Sequence, residues 1–236
     1  MSESATVSWW RDSAGEHGIK MMDKLIAPDA GWEELLATGR RDVQLALEAT
    51  DMKTGPDRNV LDLGCGMGRL SFALADHFGE VLGIDVSPSL IAEGERHNDR
   101  DNVSFECGDG LGIKPRSMTD FDSVFSFEVL YLLRPEILRP NLQDVYNILK
   151  PGGEFVFEMN VVPFSWKTRL SMQFRNLLYA CGLKEWRGWP NAPGFRRYPH
   201  TIDGLGRMLR EIGFNIDRVI SDNPKQTWFV ATKPAI

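Results

Sequence analysis

The chain has little of what marks a secreted or membrane-spanning protein. Cysteine is scarce, with Cys65, Cys107 and Cys181 the only three in 236 residues. Their odd number and wide spacing speak against a disulfide framework and against a zinc cluster. No apolar run approaches the roughly 18 residues of a membrane helix, and the opening MSESATVSWWRDS has no apolar core of the secretory kind. A cytoplasmic location is therefore expected. Basic residues are not in excess either: 27 Lys and Arg face 33 Asp and Glu, a formal charge of −6, which disfavours a general polyanion binder. Internal repeats and low-complexity stretches are missing. What remains is a 42% apolar chain long enough for one sizeable core, so one domain is expected.

Within it, strand-like and helix-like patterns alternate. RNVLDLG reads as a buried strand, GRLSFALADHF as a helix and EVLGIDV as a second strand ended by Ser87-Pro88. SPSLIAEGERHN follows as a helix with Ser87 as N-cap and Pro88 in the first turn. NVSFEC is a third strand, FDSVFSFEVL a fourth, RPNLQDVYNIL a helix, and GGEFVFEMNVV a fifth strand set off by Lys150-Pro151-Gly152-Gly153. TIDGLGRMLREIGF is a helix stopped by Gly213; NIDRVISD and TWFVATK then form a closing antiparallel hairpin around Asn223-Pro224. Such alternation means a mostly parallel sheet with helices on both faces.

In such sheets a ligand lies at the carboxyl ends of the strands, where the winding reverses. The turn after the first strand, VLDLGCGMGRLSF, carries Gly64, Gly66 and Gly68. Asp85 ends the second strand, nineteen residues after Gly66, where a carboxylate can accept from a ribose diol. That much suits NAD too. The dinucleotide fingerprint, however, wants a glycine three residues after the second one; Arg69 stands there, and Asp62 precedes the first glycine by two. An acid there repels a pyrophosphate and attracts an ammonium.

VLDLGCGMGRL, GIDVSP, ECGDG and LKPGGEFVF, in that order, resemble the motifs of class I S-adenosylmethionine-dependent methyltransferases, most closely over residues 55–160. The resemblance implies a Rossmann-like seven-stranded sheet in the order 3-2-1-4-5-7-6 with the last strand antiparallel. It implies S-adenosyl-L-methionine as cofactor and S-adenosyl-L-homocysteine as product. Gly64, Cys65, Gly66 and Gly68 would lie against the methionine and ribose, Asp62 would hold the ammonium, and Asp85 the ribose hydroxyls. Val86 would flank the adenine, Asp109 between Gly108 and Gly110 would accept from its amino group, and Phe127 and Glu128 would reach the methionine end.

The sulfonium is already a strong electrophile, so the protein must align a nucleophile, exclude water and take up a proton if one is released. Glu128, Tyr131 and His200 are the candidate bases. No Asn-Pro-Pro-aromatic motif follows the fourth strand, no Pro-Cys pair offers a covalent nucleophile, and no Asp-Asn pair completes a magnesium site. These features favour metal-independent O- or N-methylation of a small molecule. Methylation of a peptide, protein or RNA, a non-catalytic cofactor-binding partner subunit, and an NAD-dependent oxidoreductase are the alternatives.

Charge is uneven. Residues 163–199 hold seven Lys or Arg, one acid (Glu185) and eight aromatics, leaving 20 basic against 32 acidic residues, a net −12, on the rest. Trp166, Leu170, Phe174, Leu177, Leu178 and Cys181 recur at helical spacing with Lys167, Arg169 and Arg175 on the polar sides. This reads as a lid helix over the core. The resemblance implies a lid over the active site at this point of the chain, so Trp186, Trp189, Phe195 and Tyr198 would wall an acceptor pocket, with Arg196 and Arg197 meeting an anionic acceptor. The stretch 164–182 also suits an anionic membrane surface, and its interleaved bases and aromatics suit RNA. RNA ranks last because the acidic remainder repels a long polyanion.

The N-terminal residues read as helices, the last being WEELLATGRRDVQLALEAT; the resemblance implies that such helices close over the cofactor, so that Trp9, Trp10 or Arg40 would touch it, Arg40 at its carboxylate. Gly39 interrupts that helix at about 1 kcal/mol relative to alanine, which points to close approach to something. The organisation expected is thus a cover over residues 1–54, a cofactor-binding core over 55–160, a lid and acceptor insertion over 161–200, and the last helix and hairpin over 201–236, as a monomer or homodimer.

Overall fold

The central strands are buried without a break over residues 60–63, 81–84, 123–126 and 153–159, and that fixes the architecture, because a strand buried on both faces has to be covered on both. In the computed structural model, the residues described are 5–13, 31–113, 115, 120–183, 185–186, 189–191, 194 and 196–235. The chain runs α1 (Ala5–Ser13), α2 (Trp32–Thr50), β1 (Gly55–Leu63), α3 (Arg69–Leu74), β2 (Phe78–Asp85), α4 (Pro88–Arg96), β3 (Val103–Cys107), β4 (Phe121–Ser126), α5 (Pro135–Ile148) and β5 (Leu149–Met159). It continues through α6 (Trp166–Ala180), the two-residue strands β6 (Glu185–Trp186) and β7 (Trp189–Pro190), α7 (Ile202–Ile212), β8 (Asn215–Asn223) and β9 (Gln226–Thr232).

The main sheet has seven strands in the order β3-β2-β1-β4-β5-β9-β8. β1 to β5 pair in parallel, and β9 is antiparallel to both β5 and β8. This is the expected order, counted over the main sheet. On one face, Leu61, Leu82, Phe155 and Phe157 pack with Leu138, Leu142 and Val145 of α5 and Leu205 and Leu209 of α7. On the other, Val60, Val81, Phe125 and Val156 pack with Val43 and Ala46 of α2 and Leu70, Ala73 and Leu74 of α3.

Two elements are shorter than the sequence pattern implies. α3 stops at Leu74 because the Asn102 side chain donates to the Ala75 and Phe78 carbonyls, at 3.0 and 3.1 Å, and draws the chain into β2. β4 stops at Ser126, whose hydroxyl donates to the Leu63 carbonyl at 2.9 Å; Glu128 then takes a left-handed φ of 57° and a short 3-10 turn follows over Leu130–Leu132. α2, by contrast, covers WEELLATGRRDVQLALEAT without a break. Its Gly39 abuts the Arg69 carbonyl so closely that a methyl group would overlap it, which identifies the close approach expected at that position.

The insertion helix departs from expectation. α6 buries no residue, and Trp166, Leu170, Phe174 and Leu177 are 70%, 58%, 51% and 60% exposed. Its apolar side is therefore not a lid packed on the core. The inward side is held by polar groups: Arg175 Nε donates to Asn191 Oδ1 at 2.9 Å, and Asn191 Nδ2 returns a bond to the Arg175 carbonyl at 3.0 Å.

Candidate functional site

The turn between β1 and α3 is built for close backbone approach. Gly64, Gly66 and Gly68 all take positive φ, 80°, 59° and 89°, where an L side chain is strained. At Gly64 a methyl group would also collide with Val129. Gly64 N–H and Cys65 N–H donate to the Ile84 carbonyl at 2.8 and 3.1 Å, which pins the turn over the end of β2. Asp85 clamps it from the other side. Its Oδ2 accepts from Gly66 N–H and its Oδ1 from Ser87 N–H, both at 2.9 Å. Burial raises the Asp85 carboxyl above its ordinary value despite these bonds.

A cavity of about 300 Å³ opens against this turn at the carboxyl ends of the strands. Gly64, Cys65, Gly66, Asp85 and Val86 form its floor, Gly108 and Gly110 one side, and Phe127, Glu128 and Tyr131 the end nearest β4. Thr6, Val7 and Trp10 of α1 cover it. α1 is tied down at both sides of the opening: Trp10 Nε1 donates to the Gly194 carbonyl at 3.0 Å, and Arg11 Nη2 to the Asp109 carbonyl at 2.8 Å. Of the N-terminal cover, residues 14–30 lie outside the described residues.

Several expected positions fall elsewhere. Arg40 is exposed on the outer side of α2 and lines a separate depression with Trp32 and His97. Asp62 is 1% exposed beneath the turn, where its Oδ2 accepts from the Ser71 hydroxyl at 2.6 Å. Burial pushes its carboxyl up to about 6, against the lowering effects of Ser71 and Arg69. Gly68 faces Phe105 and Phe72 and starts α3. Asp109 is exposed, and its Oδ1 accepts from Leu111 and Gly112 N–H at 2.8 and 3.2 Å, shaping its own turn. His200 is buried and is not itself a lining residue; its Nε2 bonds to the carbonyl of Leu133, which does line the cavity, at 3.0 Å; burial lowers its pKa.

In the insertion, Arg197 reaches the cavity wall. Its Nη1 donates to Asn160 Oδ1 at 2.6 Å and to the Val162 carbonyl at 2.9 Å, with its guanidinium 4.7 Å from the centre of the Phe164 ring. Burial lowers its pKa from the usual arginine range. Arg196 turns away and donates to the Asn191 carbonyl at 3.4 Å. Tyr198 contributes its N–H to the Tyr131 carbonyl at 2.9 Å and is not among the lining residues. Trp186 and Trp189 pair as strand residues of β6 and β7, and Phe195 lies outside the described residues.

Three groups were missed. Arg69, 5% exposed, lines the cavity and is held by Asp42 of α2 at 2.5 Å and by the Phe127 ring, whose centre lies 6.0 Å from its guanidinium. Glu158, 2% exposed on β5, accepts from Glu128 N–H at 3.2 Å. Asn160 follows β5 directly and lines the cavity. The rule that places ligands at carboxyl ends of strands would have found Asn160. Nothing local marks the other two. Tyr131 is pushed up in pKa by burial and then by Glu128 and Glu158, so its hydroxyl keeps its proton.

Residues 60–153 match the methyltransferase domain family. The rice 24-methylenesterol C-methyltransferase 2 is 28% identical over 174 residues, 70% of this chain and 43% of that protein. The ubiquinone biosynthesis O-methyltransferase of Coxiella burnetii is 34% identical over 103 residues, 42% of each. The matches therefore span less than half of these curated relatives. Among solved structures, magnesium protoporphyrin IX methyltransferase from Synechocystis with bound SAM superposes with a TM-score of 0.62 at 14% identity, covering 98% of both chains. A Mesorhizobium loti S-adenosylmethionine-dependent methyltransferase gives 0.61 at 18% identity, covering 84% of this chain and 99% of that one. These solved structures share the fold of the seven-stranded sheet already described, and the match to the methyltransferase domain family covers residues 60–153 of the 236.

Proposed function

We propose that the chain binds S-adenosyl-L-methionine in the cavity at the β1 turn and transfers its methyl group, without a metal, to an O or N atom of a small-molecule acceptor. The observation that carries this reading is the joint placement of the positive-φ glycine turn and the Asp85 carboxylate on one cavity wall, under the cover of α1. The residues fit the cofactor. Asp85 has lone pairs left after its two backbone bonds, and Gly64 and Gly66 offer backbone without side chains. Asp62 supplies negative charge from beneath the turn. Arg69, rather than Arg40, is the cation suited to the methionine carboxylate.

When bound, the cofactor supplies an electrophilic methyl group. The chain's own residues supply the rest. Phe127, Val7 and Trp10 exclude water, and Tyr131 is suited to donating a hydrogen bond to an acceptor oxygen rather than to taking up a proton. Glu128, on the same wall, is the carboxylate placed to receive a proton. Arg197, fixed by Asn160 and Val162, is suited to an anionic group on the acceptor. We therefore expect S-adenosylhomocysteine, and not NAD, to raise the melting temperature; the reverse result ends this reading. A screen of metabolite extracts with methyl-labelled cofactor tests transfer. Cofactor binding with no labelled product in any extract would leave a non-catalytic binding module.

The Asp62 carboxyl gives a pH signature. A buried acid raised to about 6 is mostly protonated at pH 5 and mostly ionised at pH 7, and only the ionised form attracts an ammonium. Cofactor affinity should thus rise by up to roughly tenfold between those pH values. In Asp62→Asn the rise should shrink to what Asp85 contributes. Calorimetric titrations giving the same slope for both proteins would remove Asp62 from cofactor binding. Folding runs the other way. Because the folded pKa lies above the ordinary 3.8, the Asp62 contribution to stability falls as pH rises from about 4 through 6.

A further inference from the structure

α6 carries its amphipathicity inside out. Residues 166, 170, 174, 177 and 181 follow one another at intervals of four, four, three and four, the spacing of a single helix face. That face, Trp166, Leu170, Phe174, Leu177 and Cys181, is exposed, and the neighbouring Leu183 is 43% exposed. The opposite side is fixed by the reciprocal Arg175–Asn191 hydrogen bonds, with Asn191 wholly buried. The helix is therefore not free to roll its apolar side inward without breaking them. Lys167 and Arg169 flank the exposed face, with Lys167 Nζ 5.6 Å from the centre of the Trp166 ring, and the helix contains no acid.

We infer that this face docks on the surface of a bilayer containing anionic lipid. Isolated surface hydrophobics are ordinary, but a contiguous stripe of large ones marks an interaction site. A helix with a bulky apolar face, a Trp at its end and cations alongside lies in the headgroup boundary. No helix among the described residues is long and apolar enough to cross the membrane, so the contact is peripheral. Charge chooses the occupant. Lys167 and Arg169 are exposed beside the apolar face and the helix has no acid, whereas the chain outside residues 163–199 carries −12, so an anionic surface is attracted at this helix. A second copy of the helix would offer Lys167 and Arg169 no opposite charge, because it contains no acid. RNA would gain nothing from Leu170, Leu177 or Leu183, which have no ring to stack on a base. The helix stands close in sequence to the cavity wall, since Val162, which holds Arg197, precedes it by four residues.

Flotation of the full chain with phosphatidylcholine vesicles, with and without phosphatidylglycerol, tests it. The wild type should float with the phosphatidylglycerol vesicles and progressively lose them as salt is added. Leu170→Asp with Phe174→Asp should weaken binding roughly tenfold or more. Lys167→Glu with Arg169→Glu should remove the preference for phosphatidylglycerol. All four side chains are exposed, so the variants should keep the wild-type circular dichroism and melting temperature. Absence of wild-type binding, or equal binding by the Asp variants, overturns the inference. So does a monomer–dimer equilibrium in sedimentation velocity that those variants abolish while vesicles stay unbound.

Discussion

Asp85→Ala should weaken S-adenosylhomocysteine binding by ten- to a hundredfold, about 1.4–3 kcal/mol. The carboxylate already accepts from Gly66 and Ser87 N–H at 2.9 Å each. Each oxygen keeps a second lone pair for a ribose hydroxyl, and hydrogen bonds to a charged acceptor are worth about 1.5–3 kcal/mol before water competes. The variant also strips the glycine turn of the group that fixes it. Two part-buried N–H groups lose their acceptor, so the melting temperature should fall as well. Asp85→Asn separates the two effects, since its single carbonyl oxygen can replace one backbone bond. Calorimetry on folded Asp85→Ala showing unchanged affinity would take Asp85 out of the site and leave it only a clamp on the turn.

How much of this was legible depended on range. Binary pattern and turn chemistry act locally, and where they act alone the sequence reading matches: α2 has the bounds of its amphipathic segment, and Gly213 ends α7 in a left-handed conformation. The order of the sheet followed from the motifs in series. What local pattern could not supply was the partner of each face. Gly39 announced a close approach, but only the fold shows that it meets Arg69, thirty residues on. Once α2 is seated there, Asp42, three residues later on the same side, points at Arg69, while Arg40 is rotated outward. A cation on the cavity wall thus comes from α3, as Arg69, and not from Arg40 of α2. α6 gives the same lesson. Its periodicity defines an apolar face, but the face's direction is set by Asn191, which a helical pattern does not contain.

The largest loss of stability is expected from Asp42→Ala, about 3–5 kcal/mol. Arg69 is 6% exposed at its side chain and Asp42 15%, so the two partners are not equivalent. Removing Asp42 leaves the guanidinium beside Thr38 and the Phe127 ring, with a 3.4 Å bond to Thr38 Oγ1 and the attraction of the buried Asp62 in place of an ion pair. α2 cannot lift away to admit water there, because Gly39 is seated on the Arg69 carbonyl. Removing Arg69 instead, as Arg69→Met, keeps an apolar stem of similar length in place. Asp42 can then still pair with Arg41, whose Nη2 lies 3.0 Å from Asp42 Oδ1 on the more open side. That variant should lose about 1 kcal/mol or less from stability, yet it removes the cation from the cavity wall and should weaken cofactor binding, whereas Asp42→Ala should chiefly lower the urea midpoint. Equal midpoints for the two variants would show that the pair is no more than a surface contact. Unchanged affinity in Arg69→Met would return the methionine carboxylate to another group.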